Sequence, residues 1–159
     1  MDIKSKYFIT HTFADVEFAK RLDADLRANG FDGFFDVHSI KLGDDFTESI
    51  QLALEECDTY IPILSKESVA SPWVKHEINS AIAIGNEKGR EGRPRIIPVQ
   101  IEDCPIPALL RSKLFIDFAH RSYEDAFKDF MEKGMQVSLE NLVSVPSANK
   151  EPLKKIVPS

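Results

Sequence analysis

The sequence predicts an α/β protein in which a doubly wound sheet of five parallel strands is flanked by helices. Short β-rich or apolar runs alternate with helical patterns along the chain, and residues 60–64 form a continuous apolar run. An uninterrupted run of that length is typical of a strand buried on both faces of a parallel sheet. The 159 residues, 43% hydrophobic and 29% charged, suffice for one domain with a closed core.

The first two predicted strands enclose an amphipathic helix. Residues 7–9 are β-rich, and a helical pattern begins at Asp15 and stops at Asn29. The apolar stripe of this helix consists of Phe18, Ala19, Leu22 and Leu26. Residues 31–35 form the second apolar run and predict the second strand.

The second helix follows a polar loop that contains Lys41. Asp44 and Asp45 suit its first turn, because carboxylates are favourable near a helix N-terminus. Its predicted buried residues are Phe46, Ile50 and Leu54. After the strand at residues 60–64, the pair Ser71-Pro72 predicts the start of another helix, since proline is favoured at the first helical position.

The last part of the chain completes the pattern. Residues 96–101 and 114–118 predict the fourth and fifth strands, and residues 123 to about 135 predict a closing helix. We therefore expect a folded domain within residues 1–143. Residues 144–159 contain three prolines among Ser, Asn and Lys, which is typical of a linker or disordered tail that leads to a further domain or partner.

Composition excludes several function classes. The formal net charge of −6 argues against a surface that neutralises phosphates, so we expect no direct nucleic-acid ligand. Cys57 and Cys104 lie alone in separate segments, and we interpret both as free thiols of a reducing compartment. No stretch approaches the roughly 18 apolar residues of a membrane span. We therefore expect a cytoplasmic protein without a membrane partner.

The carboxyl ends of the predicted strands lack the common cofactor motifs. A dinucleotide fold would carry G-x-G-x-x-G after the first strand, where this chain has T-H-T-F-A, and no P-loop motif occurs. A phospho-acceptor domain needs an aspartate at the end of the third strand, which here ends in Leu64-Ser65. No serine lies in a G-x-S-x-G elbow, and the four histidines are scattered. We expect no metal site.

Three segments nevertheless converge on this edge of the predicted sheet. They are the turn at residues 10–13, the loop at residues 36–45 and the helix that begins at Ser71-Pro72. In that helix Trp73 and Glu77 are four residues apart and therefore share one face. An aromatic ring beside a carboxylate is suited to hold a sugar.

The same three segments resemble the Toll/interleukin-1 receptor (TIR) domain family. Y-F-I-T-H at residues 7–11 is similar to its first signature, and I-K-L-G-D at residues 40–44 is similar to its BB-loop signature. S-P-W-V-K-H-E at residues 71–77 resembles the S-x-W-x-x-x-E stretch of the bacterial, NAD-cleaving members. The resemblance implies the TIR fold, a flavodoxin-like, doubly wound, five-stranded parallel sheet flanked by helices.

The resemblance also implies a substrate and a site. NAD+ would be cleaved between nicotinamide and ribose, with Glu77 as the catalytic carboxylate, and no metal would be needed. By motif position Thr12 and Phe13 would contact the dinucleotide after the first strand, and Lys41 would contact it from the BB loop. Among the aromatic residues nearby, Trp73 and Phe46 are our own candidates for stacking on adenine or nicotinamide.

Each of these residues has an alternative interpretation. Most helical glutamates are exposed and pair with neighbouring charges, and Glu77 is open to the same interpretation. Trp73 and Phe46 have the spacing of core residues. Phe13 suits a hydrophobic staple at the entry of the first helix, and Lys41 suits a solvated loop charge.

The expected function is that of an NAD+ glycohydrolase or cyclase of prokaryotic immune signalling. Its products would be nicotinamide with ADP-ribose or a cyclic isomer, and the residues do not decide between them. The resemblance implies activation by self-association through TIR–TIR contacts that include the BB loop at residues 36–45. The alternative is a non-enzymatic TIR–TIR signalling adaptor, although this chain lacks the arginine and proline of the adaptor BB loop and the family's Phe-Trp signature.

Overall fold

The computed structural model describes residues 6–37 and 48–143. Its strands are β1 (Lys6–His11), β2 (Asp32–Val37), β3 (Thr59–Leu64), β4 (Arg95–Ile96), β5 (Val99–Gln100) and β6 (Ile116–Asp117). Its helices are α1 (Val16–Ala28), α2 (Glu48–Glu56), α3 (Lys66–Ala70), α4 (Pro72–Gly85) and α5 (Tyr123–Asp129). The strand pairs of this described part are parallel, in the order β2-β1-β3-β5-β6, and β4 also pairs with β3.

Alternate residues of the central strands supply two cores, one on each face of the sheet. Tyr7, Ile9, Ile61 and Ile63 pack with the apolar stripes of α1 and α5. Phe8, Tyr60 and Leu64 pack with α2 and α4 on the opposite face. This division follows from the two-residue repeat of a strand. The two covered faces confirm the predicted doubly wound architecture.

Local sequence signals explain where the helices begin and end. α1 starts after Asp15 and ends at the Asn29 C-cap, where Gly30 adopts a φ of 87° that a glycine accepts without strain. Ser71 is the N-cap of α4 and Pro72 its first residue, as the pair predicted. The predicted stripe residues Ile50 and Leu54 of α2 are buried.

The second half of the sheet corrects the sequence interpretation. The single strand predicted at residues 96–101 is two short segments, β4 and β5, on either side of Ile97-Pro98. Pro98 lacks a backbone N–H and therefore cannot donate to a strand ladder. The strand predicted at residues 114–118 is shortened to β6, and Leu114 and Phe115, which precede it, are exposed. The helix α3 was not predicted, and α5 continues into a π-helical turn at Phe130–Gly134.

Several predictions lie outside the described residues. Lys41, Phe46 and most of the predicted BB loop belong to residues 38–47, and the predicted tail is residues 144–159. The domain boundary at residue 143 stays a prediction. Within residues 6–37 and 48–143 no helix is long and apolar enough to cross a membrane.

Candidate active site

The topology places one crevice at the carboxyl edge of the sheet. β2 lies on one side of β1, and β3 with all later strands lies on the other. The chain therefore changes its direction of winding between β1 and β3, and ligands of open α/β sheets bind outside the carboxyl ends of such a strand pair. Thr12 follows β1 and Ser65 follows β3, so both residues lie at this crevice.

Glu77 lies on the inner face of α4. Its side chain is 0% exposed, although its helix neighbours Lys75 and His76 are exposed. The interpretation of Glu77 as an exposed helical glutamate is therefore wrong. It shares this layer with Val74, Ile78 and Ala81, which pack toward β1 and β3. Burial of a carboxylate beside these apolar side chains costs free energy that burial of a hydrophobic residue would not, which marks Glu77 as more than a packing residue.

Two buried hydroxyls accompany Glu77 on this face of the sheet. The hydroxyl oxygens of Thr10, on β1, and Tyr60, on β3, are 2.9 Å apart and form a hydrogen bond. Burial raises the pKa of Tyr60 well above its usual value, and the charge of Glu77 raises it further. The Tyr60 phenol therefore stays protonated.

A second polar cluster closes the crevice between β1 and β3. Asp15 accepts two hydrogen bonds on the same oxygen, Oδ2: one from Thr12 Oγ1 at 2.8 Å and one from Ser65 Oγ at 2.6 Å. All three side chains are buried. The predicted site residue Thr12 is thus fixed by a hydrogen bond at the point where the chain leaves β1.

Phe13 differs from its buried neighbours. It begins a short 3₁₀ turn (Phe13–Asp15), and its side chain is 73% exposed. A hydrophobic staple requires contact with the first turns of the helix, so that alternative does not fit a ring this exposed. Its position directly after Thr12 leaves an aromatic face available beside the crevice.

The remaining predicted site residues are only partly described. Trp73 belongs to the first turn of α4, one turn before Glu77, and its side chain lies outside the described part of the structure. Lys41 and Phe46 lie outside the described residues altogether. The structure thus places Thr12 and Phe13 directly after β1 and Glu77 on the buried face of α4.

Four residues of this region were not singled out from the sequence. They are Thr10 and Tyr60 beside Glu77, and Asp15 and Ser65 in the crevice. A local signal existed for Ser65, whose spacing to Ser68 fits a capping box, and the two side chains do exchange hydrogen bonds with each other's backbone N–H groups. Within residues 6–37 and 48–143, no group of three His, Cys, Asp or Glu side chains is arranged to hold a metal ion.

Comparison with known proteins gives this arrangement a family context. A family model described as TIR domain matches residues 8–131. The chain is 29% identical over 94 residues to the 2' cyclic ADP-D-ribose synthase BtTIR of Bacteroides thetaiotaomicron, covering 58% of this chain and 31% of that protein. It is 31% identical over 102 residues to the NAD(+) hydrolase TcpA of Theionarchaea archaeon (strain DG-70-1), covering 62% and 30%.

A longer match and a solved structure agree with these relatives. The NAD(+) hydrolase PdTIR of Paracoccus denitrificans is 25% identical over 130 residues, covering 78% of this chain and 42% of that protein. The chain therefore spans less than half the length of these three curated relatives. The crystal structure of the TIR domain of the Toll-related receptor TRR-2 from Hydra magnipapillata matches with a TM-score of 0.63 at 16% identity, covering 83% of this chain and 98% of that one. This likeness concerns the fold.

Proposed function

The chain belongs to the TIR domain family, and from this premise we propose that it cleaves NAD+ between nicotinamide and ribose, with Glu77 as the catalytic carboxylate. One observation carries the proposal: Glu77 is fully buried on α4, a helix that begins shortly after the carboxyl end of β3, and open α/β sheets bind their ligands at the carboxyl ends of their strands. The names of three relatives support the choice of substrate, since each is a hydrolase of NAD(+) or a synthase of cyclic ADP-ribose.

The chemistry suits a single carboxylate. When the glycosidic bond breaks, its electron pair moves to the pyridinium nitrogen, so nicotinamide leaves neutral and the ribose carbon becomes an oxocarbenium-like cation. A carboxylate aimed at that carbon stabilises a positive charge that develops only in the transition state. Glycosidases need a second acid to protonate their leaving group. A pyridinium leaves without one, so a single catalytic carboxylate is sufficient for this step.

Water excluded from the site strengthens this stabilisation. A negative charge acts over a longer range in an apolar layer than in solvent, and Glu77 lies in a layer formed largely by apolar residues of α4 and β3. Thr10 and Tyr60 add fixed hydroxyl dipoles to the same layer. These groups are held by the sheet before substrate arrives, so little reorganisation is required at the moment of reaction.

The remaining roles extend the proposal to the rest of the dinucleotide. The exposed ring of Phe13 and the fixed turn at Thr12 would contact it from the end of β1. Trp73 and Phe46 would stack on its aromatic rings, and Lys41 would contact it from the BB loop. Water that captures the sugar cation gives ADP-ribose and a proton, whereas capture by another group of the same molecule gives a cyclic isomer and a proton.

The proposal includes the setting that the family resemblance implies. Copies of the chain associate through TIR–TIR contacts that include the BB loop, and this self-assembly completes the site. The enzyme acts in the cytoplasm, in prokaryotic immune signalling. These statements rest on the resemblance and on the family membership of the chain.

Nicotinamide release tests the proposed function. The chain is incubated with NAD+ at dilute concentration and again at high concentration with a crowding agent, and nicotinamide and the nucleotide products are separated by chromatography. We expect release with a specific activity that rises with protein concentration. Equal specific activity at both concentrations would contradict activation by assembly. If no nicotinamide is released under either condition but NAD+ still binds, the result would favour a nucleotide sensor that does not cleave NAD+. If NAD+ does not bind either, the result would favour an adaptor.

A further inference from the structure

Asp15 occupies a helix-capping position without serving as the cap. It is the N-cap residue of α1, where an aspartate ordinarily accepts a hydrogen bond from the N–H groups of the first turn. No such bond is made by its side chain. Its Oδ2 atom instead accepts hydrogen bonds from the hydroxyl groups of Thr12 and Ser65. The side chain therefore makes a contact beyond its own helix.

This contact joins two segments that are 50 residues apart in sequence. Thr12 lies directly after β1, and Ser65 directly after β3, the two strands that flank the crevice. Neighbouring strands hold each other by backbone hydrogen bonds, but beyond their ends that ladder no longer operates. Beyond the strand ends, the carboxylate of Asp15 binds both chain segments and fixes Thr12 and Ser65 relative to each other.

Ser65 transmits this constraint toward Glu77. Its hydroxyl donates to Asp15 and at the same time accepts from the Ser68 N–H, as the N-cap of α3. α3 ends at Ala70, and the next residue, Ser71, is the N-cap of α4. A short, capped helix therefore connects the bridged residue Ser65 to the helix that carries Glu77.

We propose that Asp15 is a positioning residue of the candidate active site. It holds the Thr12–Phe13 turn, on the β1 side of the crevice, at a fixed distance from the α3–α4 unit on the β3 side. This inference rests on the proposed function, since positioning has a catalytic meaning only if Glu77 acts on a bound dinucleotide. Asp15 itself is buried beneath the turn and is assigned no contact with substrate.

The bonds concerned are strong ones. Hydroxyl-to-carboxylate hydrogen bonds are charge-assisted and roughly twice as strong as neutral ones. The 2.6 Å bond from Ser65 has the short distance of that class, and the 2.8 Å bond from Thr12 has an ordinary hydroxyl hydrogen-bond distance. Removing the carboxylate leaves two buried hydroxyls without this acceptor. The segment after β1 or the segment after β3 can then shift. A misplacement of about 1 Å between reacting groups can cost about 100-fold in rate.

The test compares Asp15→Ala, Ser65→Ala and the double variant in steady-state NAD+ cleavage. We expect Asp15→Ala to lower kcat/KM by about 10- to 100-fold, with a raised KM for NAD+ because the Thr12–Phe13 turn loses its anchor. Ser65→Ala alone should have a smaller effect. In the double variant the bond between Asp15 and Ser65 is lost only once, so the combined effect on kcat/KM should be smaller than the sum of the two single effects. Asp15→Asn, which keeps one acceptor oxygen, should lie between Asp15→Ala and the native chain.

Two control variants separate positioning from plain stability. Glu17→Ala removes an exposed acid from the first turn of the same helix and should leave KM unchanged. Leu26→Ala opens a cavity in the core beside α1 and should lower the thermal midpoint while leaving the KM of the folded fraction unchanged. If Asp15→Ala behaves like Leu26→Ala, with KM unchanged, or if its effect and that of Ser65→Ala are additive, the positioning role is overturned.

Hydrogen exchange gives a readout that does not depend on activity. In Asp15→Ala the amides of residues 12–15 and of residues 65–70 should both exchange faster, whereas Leu26→Ala should not loosen these two segments selectively. Faster exchange on one side alone would overturn the bridge. If the native chain releases no nicotinamide, the proposed function is wrong, and the claim that Asp15 positions groups for catalysis is wrong as well. The exchange data still decide whether Asp15 joins the two strand ends.

Discussion

The hydroxyls of Tyr60 and Thr10 form a 2.9 Å hydrogen bond between the two central strands, within the layer that contains Glu77. We predict that Tyr60→Phe and Thr10→Val each lower the free energy of unfolding by about 1–3 kcal/mol, because each leaves the other hydroxyl buried without this partner. The double variant should cost less than the sum. Chemical denaturation of the four chains measures the coupling, and effects that add to within about 0.5 kcal/mol would show that the bond contributes nothing.

Phe13 provides a test of substrate contact that is separate from folding. Because its ring is 73% exposed, Phe13→Ala should change the free energy of unfolding by less than about 0.5 kcal/mol. The KM for NAD+ should rise several-fold, since an aromatic face beside the crevice is lost. Leu139→Ala is a control at another exposed apolar position and should change neither quantity. A large loss of stability in Phe13→Ala would restore the staple interpretation.

His120 connects the segment after β5 with the segment after β6. Its two ring nitrogens lie 3.0 Å from Asp117 and 2.7 Å from Asp103, and these hydrogen bonds, first that to Asp117, raise the pKa of the exposed imidazole above 6.5. Since the folded state favours the protonated form, this contribution to stability is present below pH 6.5 and is lost as the pH rises through the raised pKa.

An NMR titration of His120 checks this expectation. We predict a midpoint above 6.5 in the native chain and a lower midpoint in Asp103→Asn, which removes one of the two carboxylates. Asp117→Asn should lower it as well, because Asp117 is the largest cause of the raised pKa. A native midpoint at or below 6.5 would mean that the two ion pairs do not persist in solution.

The two thiols should differ in reactivity. Burial raises the pKa of Cys57 to about 12, and its side chain is buried in the core between the sheet and helices α2 and α4. Cys104 is only half-buried, although burial raises the pKa of its thiol as well. Since the thiolate is the reactive form, a thiol reagent at neutral pH should label Cys104 slowly and Cys57 only on unfolding. Labelling of Cys57 before unfolding would contradict its burial in the core that it shares with α2 and α4.

Sequence periodicity predicted the fold because most of its elements are amphipathic or wholly apolar. The strand β3 and the start of α4 at Pro72 were both read from local signals. The interruption at Pro98 was not, because residues 96–101 are apolar apart from Gln100 and resemble one strand, although the proline lacks an N–H. The sequence does not predict α3, because five residues are too few to display a 3.6-residue repeat.

The candidate site was predictable only in part. Motif resemblance selected Glu77, Thr12 and Phe13, but the usual exposure of helical glutamates favoured an exposed Glu77, which the structure contradicts. The bridge from Asp15 to Ser65 joins residues 50 positions apart. No local pattern encodes such a pair, because polar contacts across a sheet depend on strand order and register, which the repeat of apolar residues leaves open.

Glu77→Gln gives the most direct test of the central claim. The substitution keeps the volume of the side chain and removes its charge, and Glu56→Gln, an exposed glutamate on α2, serves as the matched control. Nicotinamide release is measured at saturating NAD+ and high protein concentration, beside the thermal midpoint of each chain. We predict that Glu77→Gln loses about 100-fold or more of the rate, with its thermal midpoint unchanged or higher, while Glu56→Gln retains the native rate. A folded Glu77→Gln chain that releases nicotinamide at the native rate would contradict the assignment of Glu77 as the catalytic carboxylate.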